Sequence, residues 1–380
     1  PQARDDGATE LRPLRPDVPS AVRRACVRNL ADSPALDRPL VPLAEGVHDR
    51  VTIEIMRGCP NACRFCQAGA VRLPVRWRPV DEILAAARQA VAATGYDEIS
   101  LLSLSTSDYP RLDELIARLN TEFAPRHVSI SLPSLRVDSQ LRLLPALTST
   151  VRKGGLTIAA EAGSERLRRA IRKGITETDM LAGVREAYRA GWRKVKVYFM
   201  AGLPGETPDD IDEIFRLCLR LSDARRDVDG QRGAIGASVS WFVPKPHTPM
   251  QWCPMRDAEY FFSVRSRLRE LSRRSPVSFR FHWIERSVLE GVIARGDRRL
   301  ADAIEAAWRA GARLDAWDEH FRYEHWTGAF EQTGVDAAYF GRREIPESEP
   351  LPWAHIVCHR GRDVLLREYR QLRETLAAEG

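Results

Sequence analysis

Lysine is scarce in this chain. It occurs only at Lys153, Lys173, Lys194, Lys196 and Lys245, so 53 of the 58 basic residues are arginine, and these are spread along the sequence instead of forming one basic tail. The formal charge of +6 therefore does not by itself point to nucleic acid. Long apolar runs are missing as well. No stretch of about 18 apolar residues occurs, and the polar N-terminus has no apolar segment with a cleavage site, so neither a membrane span nor a signal peptide is expected, and the cytoplasm is the default compartment. Paired cysteines are also lacking. The seven are an odd number, with Cys59, Cys63 and Cys66 grouped and Cys26, Cys218, Cys253 and Cys358 scattered, which argues against a secreted disulfide framework. What is present is a 380-residue chain, 44% hydrophobic and 29% charged, a profile that suits a globular protein with a large core.

Residues 1–47 are rich in Pro, Arg and Asp and read as an arm or linker. The chain starts at Pro1 instead of Met, and is expected to be part of a longer protein. From about residue 51 short β-branched runs alternate with stretches of helical spacing, the signature of βαβ units. Strands are expected at Val51–Met56, Glu98–Leu104, His127–Leu132, Gly155–Glu161, Lys194–Ala201 and Ile235–Val243, with helices at Val80–Ala93, Arg111–Phe123, Ser139–Thr148, Glu165–Arg172, Glu177–Ala190 and Pro208–Ser222. Near-continuous apolar strands imply a parallel sheet buried on both faces. No G-x-G-x-x-G follows the first strand, so the α/β fold expected is a partial (β/α)6 TIM-like barrel over residues 48–275. After a helix at Asp257–Arg274, residues 276–380 read as a small C-terminal α-helical domain dense in tryptophan.

Directly after the first strand, Arg57-Gly58-Cys59-Pro60-Asn61-Ala62-Cys63-Arg64-Phe65-Cys66 places three thiols at C-x-x-x-C-x-x-C spacing. Loops at the C-terminal strand ends of a parallel barrel form its active site. A structural zinc wants four protein ligands, and none completes the set at finger spacing, although a distant His48 or Cys26 stays open. Three thiolates suit a 4Fe–4S cluster whose fourth iron is left for a substrate or cofactor.

This loop resembles the cysteine motif of the radical S-adenosylmethionine superfamily, including the aromatic Phe65 before the last cysteine. The strings EIMRGCPNACRFCQAG, EISLLSLSTSDY, SLPSLRVDS, AAEAGSERLR, VKVYFMAGLPGET and SWFVPKPHTPMQW extend the resemblance from residue 51 to about 275. They look like an uncharacterised family whose barrel is similar to that of the methylthiotransferase and Elongator-type enzymes. The resemblance implies that Cys59, Cys63 and Cys66 ligate the cluster, that Phe65 packs near the adenine, and that the stretch around Ser105 receives the methionine amino group. Many relatives have Gly-Gly-Glu there, where this chain has Leu104-Ser105-Thr106-Ser107-Asp108. It further implies that Glu161 contacts the ribose, that Lys173 pairs with the methionine carboxylate, and that Gly202 lets the adenine approach closely.

The activity implied is reductive cleavage of S-adenosylmethionine to methionine and a 5'-deoxyadenosyl radical that abstracts hydrogen from an unidentified substrate, RNA and protein both being open. A reductant such as flavodoxin or ferredoxin is the implied partner. Methylthiotransferase activity is disfavoured, because the second cysteine-rich domain and the RNA-binding barrel of those relatives are not visible. Relatives often carry an N-terminal domain that looks cobalamin-binding, and residues 1–47 could not form one. The competing reading is an iron–sulfur scaffold or RNA-binding protein without catalysis; Phe65, Glu161 and Lys173 argue against it, since a scaffold needs only the cysteines. Cys218 is read as a buried small hydrophobe, while Cys253 or Cys358 as a catalytic thiol stays open. Lys245 and His247, in the stiff loop Pro244–Pro249, are expected over the barrel mouth, and the C-terminal domain is expected to close it.

Overall fold

The structure is a computed structural model describing residues 2–3, 9–44, 46, 49–132 and 156–379. The helix expected at 139–148, the string from 133 to 139, and His48 lie outside the described residues. Two parallel sheets carry the fold. The first has β1 (Val51–Glu54), β2 (Glu98–Leu102) and β3 (Ser129–Ser131), aligned so that Val51 faces Ile99 and Glu98 faces Ser129. The second has β4 (Leu156–Glu161), β5 (Lys194–Ala201), β6 (Ala234–Trp241) and β7 (Val277–Phe281). Helices lie between the strands: α1 (Gln67–Val71), α2 (Val80–Thr94) and α3 (Leu112–Phe123), then α4 (Glu165–Ala170), α5 (Glu177–Arg189), α6 (Pro208–Asp223) and α7 (Ala258–Leu271). The α/β architecture and its parallel order are as expected, while the barrel is seen as these two sheets.

Two features differ from the sequence expectation. β7 extends the second sheet, with Ile235 opposite Val277, in a stretch assigned to the helical part. The strands also alternate instead of being buried throughout. On β5 the side chains of Val195, Val197 and Phe199 are buried while Lys194, Lys196 and Tyr198 are exposed. The buried set packs with Met180, Ile214, Leu217, Phe261 and Leu268 from the covering helices, and the opposite face, with Thr157, Glu161, Lys196, Tyr198, Ser238 and Ser240, is polar and accessible. A strand buried on one face needs apolar residues only at every second position.

The helices begin where local chemistry dictates. Thr176 and Thr207 form capping boxes with Asp179 and Asp210 at the starts of α5 and α6, and Pro208 occupies the first turn, where its missing N–H costs nothing. A further helical unit, α8 (Ile284–Arg295), α9 (Ala301–Arg309) and α10 (Tyr323–Thr333), has its own core of Val292, Ala303, Ala307, Trp326 and Phe330. α11 (Arg362–Ala378) instead returns to the sheet, packing Leu365, Leu366, Tyr369 and Leu372 on Trp252, Leu167 and Ile171. The arm is laid against the body: Val22–Arg23 pairs with Ile356–Val357, and Leu30 is buried. No helix among the described residues is long and apolar enough to cross a membrane.

Candidate active site

The chain leaves β1 through Met56–Arg57, which pairs antiparallel with Arg76–Trp77, and enters the cysteine loop. Gly58 has φ +96, and a Cβ there would stand 2.9 Å from the Pro74 carbonyl oxygen, so only glycine fits the turn that launches the loop. Cys66 then caps α1, its Sγ accepting from the Gly69 N–H at 3.3 Å, while Asn61 Nδ2 donates to Cys59 Sγ at 3.4 Å. The same Asn61 amide reaches Asp108 Oδ2 at 2.8 Å, and Ser105 Oγ donates to that oxygen at 2.6 Å. This triangle ties the cysteine loop to the loop after β2 and brings Ser105 within reach of Asn61, whose Nδ2 lies 3.4 Å from its Oγ.

All three cysteines are free and half-buried. Burial pushes the Cys63 thiol up to about 11, opposed by Lys173 and raised further by Cys66, Cys59 and Glu161; burial also pushes the Cys66 thiol up, opposed by the Gly69 N–H and Lys173 and raised further by Cys59 and Glu161. Three half-buried thiols with N–H groups aimed at two of the sulfurs suit a cationic inorganic centre that would hold them as thiolates, since such N–H···S bonds also tune a cluster. Among the described residues no three His, Cys, Asp or Glu side chains converge on a point one ion could occupy. Thiolates on three different irons need no such convergence, so the donor set fits a cluster better than a lone zinc.

Glu161 ends β4 with φ +67, a left-handed conformation unfavourable for a residue with a Cβ, and Lys173 Nζ donates to its Oε1 at 3.3 Å. Buried Arg168 fixes the turn that follows, Nη1 donating to the carbonyl oxygens of Ala162 and Gly163 at 3.0 and 2.7 Å. Gly202, φ +90, follows β5; a Cβ there would lie 2.6 Å from the Phe261 ring, and its N–H donates to Glu206 Oε1 at 2.7 Å. Cys63, Glu161 and Lys173 thus share one electrostatic neighbourhood, with Gly202 at the end of the adjoining strand. Phe65 packs against the core that α11 completes.

Several residues escape sequence reasoning. Arg64, between the cysteines, is buried: Nη1 donates to Ala170 O at 2.7 Å and Nε to Glu368 Oε2 on α11 at 3.2 Å. Gln67 Nε2 donates to Pro246 O at 3.2 Å, joining the cysteine loop to the loop after β6. Of the two residues expected over the mouth, Lys245 lines a cavity there with Gln67, whereas His247 is half-buried with its N–H donated to Gln251 Oε1. Cys253 is buried in the α11 core, where burial pushes its thiol up to about 12, and Cys218 is fully buried on the inner face of α6.

Residues 53–218 match the Radical SAM superfamily. The chain is 31% identical over 286 residues to the uncharacterized protein MJ0966 of Methanocaldococcus jannaschii, covering 74% of this chain and 60% of the relative. It is 29% identical to ribosomal protein uS12 methylthiotransferase RimO of Anaeromyxobacter sp. (strain K), across 47% of this chain and 42% of that protein. It is 31% identical to tRNA-2-methylthio-N(6)-dimethylallyladenosine synthase of Sorangium cellulosum, across 52% of this chain and 42% of that protein. The chain thus spans 60% or less of the length of these relatives. A solved structure of the radical S-adenosylmethionine methyltransferase TsrM from Kitasatospora setae aligns with TM-score 0.41 and 17% identity, over 54% of this chain and 38% of that one.

Proposed function

Because this chain carries a radical SAM domain, we propose that it is a radical enzyme that cleaves S-adenosylmethionine at Cys59, Cys63 and Cys66 to modify an unidentified substrate. The observation that carries the reading is the ion pair at the end of β4, Lys173 Nζ donating to Glu161 Oε1 at 3.3 Å, in the same electrostatic neighbourhood as Cys63. A cluster-only scaffold has no use for that pair. When bound, a 4Fe–4S cluster with S-adenosylmethionine supplies one-electron reductive cleavage and a carbon radical able to abstract hydrogen.

The chain's own residues hold and orient. Cys59, Cys63 and Cys66 ligate three irons, with Asn61 and Gly69 donating to the first and last sulfur. Lys173 carries the positive charge that meets the methionine carboxylate, and Glu161 accepts from the ribose hydroxyls. The backbone beside Ser105 receives the amino group. Gly202 leaves room for the adenine, and Glu206 with Tyr260 fixes its turn, Tyr260 Oη donating to Glu206 Oε1 at 2.6 Å. A flavodoxin- or ferredoxin-type protein provides the electron.

Anaerobic reconstitution followed by iron analysis and measurement of 5'-deoxyadenosine tests this. Cys63→Ala should lose both iron and cleavage. Iron at the wild-type level in that variant refutes the assignment of the ligands, and a reduced, iron-loaded wild type that releases no 5'-deoxyadenosine refutes the activity.

A further inference from the structure

A cavity of about 530 Å³ opens where the cysteine loop, the loop after β6, helix α8 and residues 315–321 meet. Its size falls in the range of sites for small organic ligands. One wall is Gln67, the residue after Cys66, and another is Lys245. Leu289, Ile293 and Phe321 make much of the lining apolar. Two cations, Arg286 and Lys245, and two carboxylates, Glu290 and Asp315, interrupt it; Asp315 is engaged by Trp326, whose Nε1 donates to its Oδ2 at 2.9 Å, and both cations are built in.

Arg286 lies over the Phe321 ring at 4.9 Å and the Trp283 ring at 5.4 Å. Stacking on two rings fixes the plane of the guanidinium while leaving its edge for hydrogen bonding. Only Nη1 uses that edge, donating to Asp318 Oδ1 at 2.6 Å; Nε and Nη2 are buried with no hydrogen-bond partner. Lys245 pairs with Glu290. In both pairs the cation is the held end. The Arg286 and Lys245 side chains are each 24% exposed, whereas Asp318 is 68% and Glu290 54% exposed. A carboxylate standing in water is weakly bound to its partner and readily exchanged for another anion.

From the apolar lining and the two exchangeable cations, we infer that this cavity receives the substrate, a small organic anion whose carboxylate or phosphate faces Arg286 and Lys245 while its apolar body rests on Leu289, Ile293 and Phe321. Calling the ligand a substrate rests on the radical-enzyme reading; the binding itself does not. The cavity reaches within one residue of Cys66, which brings the apolar body next to the cysteine loop.

Three probes that differ only in their heads test the inference: 4-phenylbutyrate, 4-phenylbutyl phosphate and 4-phenylbutylamine, titrated calorimetrically into the anaerobically reconstituted full chain. At least one of the two anions should bind 10-fold or more tighter than the amine, and which one does identifies the head group. Arg286→Met should bring anion and amine within about 3-fold of each other. Ala294→Trp, which fills the cavity from a half-exposed position on α8, should abolish binding of all three with iron content and thermal midpoint unchanged. Equal or tighter binding of the amine, or full binding by a folded Ala294→Trp variant, overturns the inference. Iron and 5'-deoxyadenosine measured on the same preparations separate the two claims. Anion-selective binding without cleavage leaves the cavity assignment standing and removes the radical reading; cleavage without selectivity does the reverse.

Discussion

The substitution Glu206→Gln removes a buried carboxyl whose protonation the fold controls. Its Oε1 accepts from the Gly202 N–H at 2.7 Å and from Tyr260 Oη at 2.6 Å. Both bonds favour the ionised form, yet burial outweighs them and pushes the carboxyl up to about 7 from its ordinary 4.5. A carboxyl raised by folding stabilises the native state fully below about pH 4.5, where both states carry the proton, and that contribution is lost as pH rises through 7. At about 1.4 kcal/mol per pH unit, the interval from 4.5 to 7 amounts to roughly 3 kcal/mol. The amide of the variant keeps an acceptor for both donors and carries no charge at any pH. Urea unfolding of cluster-free protein, followed by circular dichroism from pH 5 to pH 8, should therefore show the variant gaining on the wild type by about 2.5 kcal/mol across the range. Depressed carboxylates such as Asp210 titrate below this window and cancel in the comparison. A wild-type-minus-variant difference that is flat with pH refutes the assignment of a neutral, buried Glu206.

Glu161→Ala and Lys173→Ala should retain iron and weaken S-adenosylmethionine binding by about 1–3 kcal/mol each, the cost of one charge-assisted hydrogen bond; equilibrium dialysis on iron-loaded protein measures it, and unchanged affinity in both rejects their roles. Glu368→Ala should lower the thermal midpoint and hasten loss of iron to a chelator. It leaves the Arg64 guanidinium, whose side chain is 6% exposed, without its counterion. Because the Glu368 side chain is 18% exposed, about 2–3 kcal/mol is expected, below the 3–5 kcal/mol of a fully buried pair. Wild-type iron retention would show that α11 does not steady the loop.

What was legible in the sequence was whatever has a short period or a local spacing. The alternation of β-branched runs with helical stretches gave β1 to β6 and α2 to α7, because burial of a strand face or helix stripe repeats every two or about 3.6 residues. The cysteine loop was legible because its donors are sequence neighbours. β7 was not read, although Val277, Phe279 and Phe281 alternate with Ser278 and Arg280 as a strand should; the arginine-rich flank and Pro276 concealed five residues of signal. Arg64 with Glu368, and the cavity joining Gln67 to Arg286, were beyond reach for another reason. Their partners are brought together only by the fold, and a charged residue on a helix looks the same whether it meets solvent or a distant loop.

The ion pair between Arg64 and Glu368 spans 304 residues of chain. At a synthesis rate of about 5–20 residues per second, the cysteine loop waits roughly 15–60 s on the ribosome before the residue that steadies it has been made. During that interval the three thiols are present without the helix that later packs beside them, and the order of events becomes part of maturation: a metal centre delivered early would meet an unclamped loop, one delivered after α11 docks would meet a preset one.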